Sequence, residues 1–158
     1  MKKKNLVICS FIFLFMGLLP VSGTAQNCDP LNAKQLKEML TNMGYTVKDL
    51  NTEVGKEKYE VSITTTGFNV PISYEISPST NFIWLIANLG KPKDETSTAN
   101  AALLKQNGKI QPCQFYITEK GNLMMGLAVE NRGLTPAIMR RHTEKITNDV
   151  SNTASYWQ

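Results

Sequence analysis

The sequence predicts an α+β domain: an antiparallel sheet of about five strands with helices packed on one face. Three observations predict it. Apolar residues recur with period 2 in four stretches between Lys58 and Glu130, they recur at helical spacing in three others, and turn residues separate the stretches. The resulting order is α-β-β-β-α-β-β-α, with no internal repeat, low-complexity tract or linker to divide it. A cystatin-like helix on a curved sheet is the alternative, and the third helix makes it less natural.

Residues 1–25 read as a signal peptide. Lys2, Lys3 and Lys4 are followed by an apolar run from Leu6 to Leu19, then Pro20 and a small-residue exit at Gly23-Thr24-Ala25. The run is about 14 residues, short of the ~20 that a spanning helix needs. The formal charge of +4 comes from 17 basic against 13 acidic residues, and three of the basic ones leave with the leader. The remaining residues, 26–158, form a single domain-sized unit with a charge of +1. Such a balance argues against nucleic acid, which requires a concentrated basic footprint. The leader predicts an exported protein, periplasmic or secreted. Cys9 falls in the leader, which leaves Cys28 and Cys113. In an oxidising compartment those two can form one disulfide, closing a loop of about 85 residues.

The elements follow in order. Asn32 can cap a first helix carrying Leu36, Met39, Leu40 and Met43, with Gly44 just past its end. Tyr45 to Leu50 suits a short edge strand. Tyr59, Val61 and Ile63 alternate with Lys58, Glu60, Ser62 and Thr64, and after Thr66-Gly67 the alternation resumes from Phe68 to Ile76. Pro71 cannot donate to a ladder, so its nitrogen must face an edge or a bulge. The run Phe82–Ala87 is apolar on both faces, which predicts a strand covered on both sides. Thr96 or Ser97 can cap a second helix with Ala99, Ala101, Ala102, Leu103 and Leu104, where Asp94 and Glu95 favour the helix start. Cys113, Phe115 and Ile117 pair with Leu123, Met125, Leu127 and Val129 across the loop Glu119-Lys120-Gly121-Asn122. Thr135-Pro136 opens a long third helix with Ile138, Met139, Ile146, Val150 and Trp157 on one face.

Catalytic patterns are absent from the sequence. The one histidine, His142, sits on the third helix near the margin of its apolar stripe, with no G-x-S-x-G or S-x-x-K elsewhere. A single histidine cannot supply the nitrogen ligands of most zinc sites, and no C-x-x-C is present. The Gly121–Gly126 spacing imitates a phosphate loop, but Leu127 stands where a lysine is required. Arg140-Arg141 suits a solvated helix face. The expectation is therefore no enzyme, no cofactor and no metal.

The helix ending Leu40-Thr41-Asn42-Met43-Gly44-Tyr45 and the meander up to Trp84 carry a resemblance, as do Phe115-Tyr116-Ile117, Gly121-Asn122-Leu123 and Leu134-Thr135-Pro136. With that element order, the chain resembles the YbjN-like family, which shares the type III secretion chaperone fold. The resemblance implies a binding or regulatory domain over nearly the whole mature chain, without catalytic residues. It also implies that the second helix serves dimer contacts.

A binding domain that recognises protein or peptide is the functional expectation. A small-molecule or lipid binder is the alternative, and a small hydrolase centred on His142 the more distant one. The expected partner surface comprises Ala101 and Leu104 of the second helix with Tyr116 and Met124 of the hairpin, serving a homodimer or another partner.

Overall fold

A computed structural model describes residues 29–67, 69–92 and 96–158. Its elements are α1 (Ala33–Asn42), β1 (Lys48–Asn51), β2 (Lys58–Thr64), β3 (Asn69–Ile76), β4 (Phe82–Asn88), α2 (Ser97–Asn107), β5 (Gln114–Ile117), β6 (Leu123–Glu130), α3 (Pro136–Asn152) and α4 (Ala154–Trp157). The strands form one antiparallel sheet in the order β1-β2-β3-β4-β6-β5. The predicted class and helix positions hold, and the strand count is six. The sixth, β1, is the short edge strand expected between Tyr45 and Leu50, displaced to Lys48–Asn51. It pairs Lys48 with Glu60 and Asp49 with Tyr59, then slips before Asn51 meets Lys58. The leader, Cys28, Phe68, Asp94 and Glu95 lie outside the described residues, and with them the Cys28–Cys113 pairing.

Both ends of α1 are set by local chemistry. Asn32 and Gln35 form a reciprocal capping box, each side chain accepting from the other's backbone N–H. At the far end Gly44 takes φ +89°, and the N–H groups of Gly44 and Tyr45 donate to the carbonyls of Thr41 and Leu40. This is a Schellman closure, and its left-handed position favours glycine. Leu36 and Leu40 turn wholly inward.

Strand registers assign the two faces. Tyr59, Tyr74, Leu85 and Leu127 lie across from one another, as do Ile76, Ile83 and Val129, and Ile72, Ala87, Met125 and Phe115. All but Ile76, which packs against it half-buried, belong to one core with Leu36, Leu40, Met139, Ile146 and Val150. Helices α1 and α3 therefore cover the same face. The Tyr74 hydroxyl lies 2.9 Å from that of Thr143, which donates to Met139 O. Burial holds the Tyr74 phenol above its ordinary pKa, so it stays a neutral partner to α3. Pro71 occupies a stretch of β3 with one neighbour only, because pairing to β4 begins one residue later, at Ile72 with Ala87.

The end of the third helix differs from expectation. The third helix stops at Asn152, so Trp157 is not on it. The hydroxyl of buried Thr153 bonds back to Asp149 O at 2.6 Å, and Thr153 leaves helical geometry at φ −103°, ψ 8°. Trp157 returns through α4 and donates its indole N–H to Val150 O at 3.1 Å. The lead-in before α1 is held by Asn131, which is fully buried just past β6. Its side chain accepts from Leu31 N at 3.1 Å and donates to Leu31 O at 3.0 Å and Thr80 O at 2.8 Å.

Helix α2 starts at a Thr96 cap and runs beside β5 rather than over the sheet. Its Leu103 joins the core next to Phe115. The Asn107 side chain accepts from Phe115 N at 2.7 Å and donates to Phe115 O at 3.2 Å, as a neighbouring strand would. Cys113 N–H donates to Ile110 O at 3.0 Å. Because outward groups recur every second residue, only Ile117 remains of β5's outward set.

Candidate functional site

The face of the sheet away from α1 and α3 has two halves. On β1, β2 and β3 it is polar: Lys48 pairs with Glu60 at 3.4 Å, Lys58 with Glu75 at 3.0 Å, and Ser62 and Pro71 stand exposed. On β4, β6 and β5 it presents Phe82, Trp84, Ile86, Ala128, Met124 and Tyr116. The expectation that β4 is covered on both sides is overturned: Phe82 is 45% exposed and Trp84 is half-buried. Both faces of that strand are apolar for different reasons, one being core and the other an open surface.

Gly126 explains how Tyr116 lies. A Cβ there would come within 3.0 Å of Tyr116 Cε1, so the phenol ring is laid over the glycine. Ring and glycine cover one another, the device that stabilises glycine within strands. Burial, then the nearby Glu75 carboxylate, raise the Tyr116 pKa. Tyr116, Trp84, Ile86, Gln114 and Glu75 enclose a recess of about 320 Å³. Around the β5 edge a second recess, of about 260 Å³, is lined by Asn100, Leu103, Leu104, Phe115, Tyr116, Ile117 and Leu123.

Three of the four residues expected at the partner surface are contiguous. Met124 is the register partner of Tyr116, and Leu104, 67% exposed, lines the second recess with Tyr116. Ala101 is exposed on α2 but lines neither recess. Trp84 and Phe82 enlarge the surface. Their signal was present in the two-faced apolar run, which cannot distinguish a buried second face from an open one.

No family model and no curated protein matches the chain. Among solved structures, a chain of the HopA1–SchA chaperone–effector complex is similar with a TM-score of 0.50 and 12% identity, covering 72% of this chain and 84% of that one. A chain of the heterodimeric ExoU–SpcU complex, from the type III secretion system of Pseudomonas aeruginosa, aligns with a TM-score of 0.47 and 12% identity. It covers 77% of this chain and 96% of that one. The likeness is one of fold.

The remaining candidate groups have structural surroundings. Arg140 donates to Met43 O at 2.9 Å and stands 5.6 Å from the Tyr45 ring centroid, which ties α3 to the end of α1. Cys113 is buried, and desolvation followed by a hydrogen bond with Asp149 pushes its thiol up to about 12. A nucleophilic thiol needs the opposite shift. Lys145 pairs with Asp149 and donates to Ile110 O at 3.0 Å. Among the described residues, no group of three His, Cys, Asp or Glu side chains could hold a metal, and no helix is long and apolar enough to cross a membrane. A groove of about 480 Å³ lies at the start of α1 between Leu31, Leu36, Tyr59, Ile76 and Thr80.

His142 is partly exposed on α3, and burial followed by the Arg141 charge lowers its pKa. The unfolded chain thus takes up this proton more readily than the folded one. The contribution is present above the ordinary histidine value of about 6.5 and is lost as pH falls through the depressed folded value. Urea unfolding at pH 7.5 and pH 5 should show a steeper loss for the parent than for His142→Gln, the difference removing the background from carboxylates. Equal losses would assign His142 no part in the acid response.

Proposed function

We propose that the protein is an exported, non-enzymatic binding domain of the YbjN-like kind that recognises another protein, or a peptide segment of one, on the open half-face of its sheet. One observation carries this reading: the apolar surface of Phe82, Trp84, Met124 and Tyr116, extended by Leu104, is left uncovered by the helices of the described residues. The fold shared with a chain of a chaperone–effector complex supports it. Export rests on the leader pattern of residues 1–25 and places the domain in the periplasm or outside the cell.

Crosslinking and affinity capture from the exported fraction, with the parent beside a Leu104→Glu/Met124→Glu variant, test the surface. The variant should keep its far-ultraviolet spectrum and lose its partner by at least about tenfold, since a charge placed in an apolar contact costs well over 1 kcal/mol. Sedimentation of both forms reads whether a second copy is the partner. Undiminished capture by a folded variant would remove this face from the function.

A further inference from the structure

We propose that the apolar half-face seats a cationic side chain, arginine ahead of lysine, from an otherwise apolar partner segment, in the recess lined by Trp84, Tyr116, Gln114 and Glu75. The inference rests on the reading of this face as a protein- or peptide-binding surface and names what is recognised. The positions that β4, β5 and β6 present on this face are Phe82, Trp84, Ile86, Asn88, Gln114, Tyr116, Met124, Gly126, Ala128 and Glu130. None is a cation, and Glu130 is the one charge. Glu75 stands beside Trp84 in register and supplies the second carboxylate at the margin. Its charge is felt at the Tyr116 phenol, so carboxylate and ring share one local field.

Two aromatic rings with an acid at their edge favour a cation that can lie flat on a ring and fork onto a carboxylate. A guanidinium does both, whereas an ammonium offers a point charge only. Lys58 now pairs with Glu75 at 3.0 Å, with both side chains about a third exposed. An incoming guanidinium can share that carboxylate, which has acceptor sites for two donors. The recess, about 320 Å³, accommodates one such side chain while the flanking residues of the segment meet Phe82, Met124 and Ala128.

The probes are fluorescein-labelled nine-residue peptides, Gly-Ser-Leu-Thr-Xaa-Val-Leu-Ser-Gly, with arginine, lysine, citrulline or glutamate at Xaa. Anisotropy titrations with the protein should rank arginine first, at least tenfold tighter than isosteric neutral citrulline, with glutamate weakest. In Glu75→Gln, arginine and citrulline should converge to within about twofold while citrulline is unchanged. Arginine and citrulline peptides that bind the parent equally would overturn the cation site and leave the binding face standing. Failure of every peptide to bind the parent would overturn both.

Discussion

Asn131→Ala is expected to destabilise the fold by about 3 kcal/mol, from three hydrogen bonds at roughly 1 kcal/mol each. The side chain takes the place of a short strand, satisfying Leu31 at both N–H and C=O and Thr80 at its carbonyl. Alanine leaves all three without that partner and frees the lead-in that positions the Asn32 cap. Asn131→Asp distinguishes bonding from space filling. Aspartate keeps the acceptor for Leu31 N, loses both donors and buries a charge at a fully enclosed position. Its loss should exceed that of alanine at pH 7 and shrink near pH 4, where the carboxyl protonates. Urea midpoints at the two pH values, read against the parent, decide it. An alanine variant within 0.5 kcal/mol of the parent (about the spread of neutral surface changes) would show that water replaces the side chain without cost.

Leu40→Ala should cost about 4 kcal/mol, and more than Leu36→Ala, although both side chains are fully buried. The difference comes from what surrounds them. Leu36 borders the open groove beneath the start of α1, so space vacated there is continuous with solvent. Leu40 sits a turn further along the helix, under its Schellman closure, and does not border that groove. The hole left by alanine there stays empty and its lining loses dispersion contacts. Equal losses for the two variants would mean that the helix shifts as a body to close either space.

Periodicity made most of the fold legible. Alternation from Lys58 onward reveals β2, β3, β5 and β6, and the caps Asn32, Thr96 and Thr135 were visible beside their helices because a cap acts within three residues of itself. What stayed hidden acts at a distance or through one atom. Asn131 bonds to Leu31 a hundred residues away, and Asn107 imitates a strand with a single amide. The end of α3 turns on the Thr153 hydroxyl, which no apolar pattern records. Alternation places Tyr116 and Met124 together on the face turned from the core, where the structure has them. Trp84 and Phe82 were mistaken for interior, because alternation tells which residues share a face and never what stands above it.

The seal on β5 has a bearing on how copies of this chain meet one another. Open-ended fibres grow when every copy offers two live strand edges, one to receive a neighbour and one to be received. Here Asn107 and the Ile110 carbonyl already occupy the Phe115 and Cys113 positions of one margin. The live margin is β1, four residues long and irregular in register. Two copies joined there would leave outward a margin whose one open position is Ile117, too little for a further strand to pair with, so edge growth ends at a pair. The molecule can therefore keep a broad apolar face available without exposing itself to runaway cross-β stacking.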